Sequence, residues 1–87
     1  MKDKSIHSPQ YHYLIDALSN ERKRLNISQA ELAEAIGLNQ SDISKIELYE
    51  RRLDVLEFSL LLHFFRIYEN KKLHDVVVKF LGLRDEC

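Results

Sequence analysis

Residues 27–58 read ISQAELAEAIGLNQSDISKIELYERRLDVLEF, and their caps mark three helix starts. Ser28 is followed three residues later by Glu31, Asn39 by Asp42, and Asp54 by Glu57. In such a pair the small polar side chain accepts from an early backbone N–H of the helix, and the acidic one reaches back to the cap's own N–H. After Ser28, Leu32, Ala33 and Ile36 share one face, and Gly37 stands where a left-handed residue ends a helix. After Asn39, Ile43 and Ile46 face inward. Helices of about two turns are marginal alone, so both must lean on neighbours. Two short helices joined by Gly37-Leu38-Asn39, with the small Ala33 at their crossing, predict a helix-turn-helix.

The same reading extends outward. Upstream, Tyr11, Leu14, Ile15, Leu18, Arg22 (through its stem) and Leu25 recur in steps of three and four, one face of a helix that Asn26 can end. Downstream, a fourth helix runs from Val55 through Leu60–Phe65 to about Tyr68, and a fifth from about Leu73 to Leu83. Val76, Val77 and Val78 would suit a strand, but no second strand candidate exists to pair with them. Two glycines and one proline are also too few for a β fold. The expectation is an all-α, five-helix domain over residues 11–87, preceded by a flexible arm at 1–10.

Composition narrows the function. A chain of 87 residues needs a dense core, which a hydrophobic share of 45% supplies. With 31% charged residues, no apolar run nears the ~20 residues of a membrane span. A polar N-terminus without a signal-peptide core, and a single cysteine (Cys87), predict a cytoplasmic protein. His7, His12, His63 and His74 lack metal-ligand spacing, and there is no phosphate-binding glycine loop or catalytic triad. Neither a metal, a cofactor nor an enzymatic activity is expected.

The third helix exposes Gln40, Ser41, Asp42, Ser44 and Lys45. Gln pairs bidentately with adenine, Lys reaches guanine O6 and N7, and Ser serves either as donor or acceptor. Gln40, Ser41, Ser44 and Lys45 are therefore the candidate base readers, and a recognition helix enters the major groove by its first turn. Asn39 at the start of that helix, with Arg51 and Arg52 beyond its end, are candidate phosphate contacts. Asp42 either caps its own helix or accepts from a cytosine amino group.

Ser28-Gln29, Glu31-Leu32-Ala33, Ile36-Gly37-Leu38, Gln40-Ser41, Ile43-Ser44-Lys45-Ile46-Glu47 and the closing Arg-Arg-Leu-Asp resemble the lambda-repressor-like and Cro-like helix-turn-helix regulators of bacteria and phages. With the flanking helices the resemblance covers roughly residues 11–68. It implies a five-helix fold, two-fold dimers and operator DNA as ligand. It also implies a phosphate-anchoring role for Gln29 and a structural ion pair between Arg22 and Glu47. The chain departs from the pattern at Tyr49, where a small residue or glycine is usual, and at Leu53, where proline is frequent. A different end to the third helix is expected at Tyr49.

The fourth and fifth helices carry more apolar residues than one stripe holds: Leu56, Phe58, Leu60, Leu61, Leu62, Phe64, Phe65 and Ile67, then Phe80 and Leu81. The excess predicts a partner surface, met most simply by a homodimer through these helices. The net charge of −1 is unusual for a nucleic-acid binder. It favours a rival reading, an interaction module such as an antitoxin or anti-regulator that holds a protein partner.

Overall fold

The computed structural model describes residues 8–82. It contains helices α1 (Pro9–Arg24), α2 (Gln29–Ile36), α3 (Gln40–Glu47), α4 (Val55–Phe64) and α5 (Lys71–Leu81), with a 3₁₀ turn at Ile67–Glu69 before the last. The three capping boxes at Ser28, Asn39 and Asp54 are all formed, each with both of its hydrogen bonds. Gly37 closes α2 at φ 79°. Asn26, at φ 62°, turns the chain out of α1.

Helix ends account for the differences from the sequence reading. α1 begins at Pro9 rather than Tyr11, because Ser8 Oγ accepts from the Tyr11 N–H at 3.0 Å and proline suits a first helical position. Of the arm expected at 1–10, residues 1–7 lie outside the described residues. α4 stops at Phe64 because Arg66 takes the left-handed conformation at φ 53°. α5 runs from Lys71, where Asn70 caps it (Leu73 N–H to Oδ1, 3.1 Å), to Leu81, before Gly82 at φ 72°. The three valines are helical, with Val77 in the core.

Tyr49 does not change the end of α3. It adopts φ 65°, the left-handed conformation a glycine would supply, and Glu50 N–H closes the turn on Lys45 O at 2.8 Å.

Every described helix contributes to one core. Leu14, Ile15 and Leu18 of α1 meet Leu32, Ala33 and Ile36 of α2, Ile43 and Ile46 of α3, Leu61 of α4 and the following Phe65, and Leu73 and Val77 of α5. α3 packs on α2 and α1, α4 against α2, and α5 along α1. The Tyr11 hydroxyl accepts from the Leu53 N–H at 3.0 Å, fastening the loop before α4 to α1. Among the described residues no helix is long and apolar enough to cross a membrane.

Candidate nucleic-acid interface

α3 buries Ile43 and Ile46 to 2% and 4% exposure, which fixes what its other faces present. Gln40, Ser41 and Lys45 are exposed and Ser44 is half-buried. Asn39 Oδ1 accepts from the Asp42 N–H at 3.0 Å, and Asp42 Oδ2 accepts from the Asn39 N–H at 3.3 Å. Asp42 is thus engaged in capping, while Asn39 keeps its side-chain NH₂ for an outside acceptor. The first backbone N–H groups of α2 and α3 have no partner inside their helices, as at any helix start.

Four side chains form one hydrogen-bonded row from the core to the exposed end of α3. Arg22 meets Glu47 in a fork, Nε to Oε2 at 2.8 Å and Nη2 to Oε1 at 3.0 Å, and its Nη1 donates to Ile27 O at 2.8 Å. Both partners are largely buried, with side chains 10% and 14% exposed. Gln29 Nε2 donates to Glu47 Oε1 at 2.9 Å, and Gln29 Oε1 accepts from Gln40 Nε2 at 2.6 Å. Burial would raise the Glu47 pKa, but hydrogen bonds from Arg22 and Gln29 outweigh it and hold the carboxyl below its usual range. The row dictates orientation. A carboxylate accepts only, so Gln29 must turn its NH₂ toward Glu47 and its carbonyl toward Gln40. Gln40, which is exposed, keeps its second amide N–H and its Oε1 beyond that bond, a donor beside an acceptor. That pair matches the N7 and N6 edge of adenine.

Arg51 is engaged elsewhere. Its Nη1 and Nη2 each donate to a Glu57 oxygen at 2.9 Å, and its Nε lies 3.6 Å from Asp42 Oδ1. The same guanidinium therefore spans the starts of α3 and α4, and the Arg51 fork is what holds the Glu57 pKa down, against burial. Arg52 is exposed. Arg24 is forked onto Glu21 at 2.8 and 2.9 Å, and Asn70 Nδ2 donates to the same carboxylate at 2.9 Å. Beside Gln29, an open polar groove of about 460 Å³ runs between α1 and α3, with Asn20, Lys23, Ser44 and Glu47 on its walls.

The sequence reading put Gln29 and Gln40 in separate roles, and their link is visible only once α2 and α3 are packed. It also missed Asp16, which accepts from the Tyr49 hydroxyl, and His12, whose ring stacks on Tyr49 at 3.7 Å between centroids and 11° between planes. Asp16 and His12 do lie at i, i+4 on α1, a proximity the sequence offers, but nothing in it points to Tyr49.

A family model described as helix-turn-helix matches residues 18–71, from the middle of α1 to the first residue of α5. No curated protein matches the chain.

Proposed function

This chain belongs to the lambda-repressor-like helix-turn-helix family of DNA-binding regulators, and from that premise we propose that it reads a palindromic operator as a homodimer and regulates transcription there. The observation that carries the proposal is the Gln40–Gln29–Glu47–Arg22 row, which presents an oriented donor and acceptor at the first turn of α3. Preorganised side chains lose less freedom on binding, so an oriented amide discriminates bases better than a mobile one.

In this reading α3 lies in the major groove. Gln40, Ser41, Ser44 and Lys45 face base edges. Gln29 anchors a phosphate at the start of α2, where its remaining Nε2 hydrogen and the helix-end N–H groups converge. Asn39 donates to the same strand, and Arg52 meets the backbone beyond α3. Arg51 reaches a phosphate only in competition with Glu57 and Asp42, which engage its guanidinium. Regulation follows from occupancy: a dimer on a promoter blocks or steadies the polymerase without covalent chemistry. The acidic total is no obstacle, since the local potential at the docking face governs encounter.

The test is selection of bound sequences from a random duplex pool at about 150 mM salt, where non-specific binding is weak. The expected result is a palindrome with half-sites about ten base pairs apart, one helical turn. Folded protein that enriches no sequence would transfer the assignment to a module that holds a protein partner.

A further inference from the structure

α1 holds the far end of α3 at two posts. Arg22 takes Glu47, the final residue of α3, in a largely buried fork. Asp16 accepts from the hydroxyl of Tyr49, just beyond that end. The two posts stand six residues apart on α1, about 9 Å along its axis. Both line the open polar groove between α1 and α3. Ser44 and Leu48 face the same groove, and Leu48 is 60% exposed, so close packing does not set the angle of α3 on this side. The residues of α3 that the core buries are Ile43 and Ile46, neighbours on a single turn. At its start the side-chain ties are the exposed Gln40–Gln29 bond and Arg51 at 3.6 Å from Asp42. A helix on so short a footing can swivel about one post, and two fix its direction.

The turn at 49 does not call for a tyrosine. Glycine adopts φ 65° at no steric cost, so the backbone accounts for a small residue there and not for a ring. The ring lies flat on His12, one turn before Asp16 on α1, and the stack aims its hydroxyl at the carboxylate. Resting on the DNA-binding reading above, we infer that Tyr49, seated on His12 and bonded to Asp16, is a positioning residue that sets the angle at which α3 meets the operator. α3 is about 12 Å long, so a swing of about 10° about one end displaces the other by about 2 Å. Hydrogen bonds to base edges hold only over a few tenths of an ångström, so that swing takes Gln40 out of register. Attraction to the phosphates is long-ranged and survives it. The latch therefore governs discrimination between sequences more than affinity for DNA at large.

The test compares the full chain's affinity for its selected operator and for a random duplex, well below the melting temperature. Tyr49→Phe keeps the stack and loses the bridge. It should lower the operator-to-random ratio by about fivefold or more and leave random-duplex binding within about twofold. Asp16→Ala should lower the ratio as much, and the double variant no further, since either change alone opens the latch. Asp16→Asn should keep the ratio, because a carboxamide oxygen still accepts from the hydroxyl. That rescue separates the bond from the carboxylate's charge. A purely structural role would move the melting temperature and leave the ratio alone. Hydrogen exchange gives a readout without DNA: the Leu48, Tyr49 and Glu50 amides, which close the end of α3, should exchange faster in Tyr49→Phe and Asp16→Ala, with α4 and α5 unchanged. A wild-type ratio in Tyr49→Phe, losses that add in the double variant, or Asp16→Asn behaving as Asp16→Ala overturns the proposal. The two readings fail separately. If the wild type prefers no duplex while exchange changes as expected, the latch holds α3 and the DNA reading falls. If the wild type selects a palindrome that Tyr49→Phe and Asp16→Ala discriminate equally well, the DNA reading stands and the latch does not position α3.

Discussion

Tyr49 donates its hydroxyl to Asp16, thirty-three residues earlier in the chain, while its backbone sits in the left-handed region at φ 65°. A side chain with a Cβ is disfavoured there, which is why a small residue is usual at the end of such a helix. The ring offsets that cost: it stacks on His12, and its hydroxyl bridges the end of α3 to α1. The hydrogen bond to Asp16 is also what pushes the Tyr49 pKa up, since losing the phenol proton would break the bridge and set two negative charges together.

Substitution separates the backbone cost from the ring's contacts. Tyr49→Phe keeps the stack and loses the bridge, so its urea midpoint should fall slightly below wild type. Tyr49→Ala keeps the strained backbone with neither contact and should be the least stable. Tyr49→Gly should exceed Tyr49→Ala, because glycine tolerates the left-handed conformation. Equal midpoints for Gly and Ala would show that the backbone at 49 is not under strain.

Gln29 and Gln40 should act on DNA as one unit. Gln40→Ala is expected to cost about 1–3 kcal/mol on the preferred operator and to relax the preference at one base position. Gln29→Ala removes the proposed phosphate contact and also frees Gln40 from its 2.6 Å anchor. The double variant should therefore lose less than the sum of the singles, with a coupling above about 0.5 kcal/mol. Binding titrations on the operator and on the operator altered at that position measure it. Strict additivity would mean the pair does not persist in the complex.

The neighbouring arginines should part company. Arg52→Ala is expected to weaken binding to every duplex alike and to reduce the logarithmic salt slope by about one. Arg51→Ala should act mainly on stability, because it strips the fork from Glu57 and a nearby cation from Asp42. Its melting temperature should fall while its salt slope stays near wild type. A changed slope with an unchanged melting temperature in Arg51→Ala would return that side chain to the phosphate-binding set.

These predictions divide by what the sequence discloses. Caps are local chemistry, so Ser28, Asn39 and Asp54, each with an acid three residues on, could be read directly, and α2 and α3 with them. Ser8 and Asn70 act over the same distance but have no acid at the third position to complete the pattern, and α1 and α5 accordingly began earlier than expected. The stop of α4 depends on Arg66 turning left-handed between α4 and the 3₁₀ turn, a conformation that an arginine does not signal. Arg51 and Arg52 look alike on paper. Which of them Glu57 engages is decided by the way the loop enters α4, a tertiary matter.

The buried carboxylates give the stability a pH dependence whose sign can be reversed by one substitution. Glu21, Glu47 and Glu57 all have folded pKa values below the ordinary 4.5. A group depressed by folding contributes stability above its unfolded pKa and loses it as pH falls through the folded one. Unfolding free energy should thus be level above about pH 5 and decline below about pH 4.5, approaching 1.4 kcal/mol per pH unit for each proton taken up. Arg22→Ala changes the sign at Glu47. Without the fork, burial dominates and raises that carboxyl's folded pKa, so its contribution now favours the protonated, acid side. The variant should be about 3–5 kcal/mol less stable than wild type at neutral pH, the cost of an unpaired buried charge. That deficit should shrink as the pH falls below about 5, because protonation neutralises the stranded group in the variant and breaks the ion pair in the wild type. Urea titrations at neutral pH and near pH 3.5 measure both. If the deficit stays constant across that range, Glu47 is not the group that Arg22 keeps ionised, and the row that orients Gln40 lacks its charged foundation.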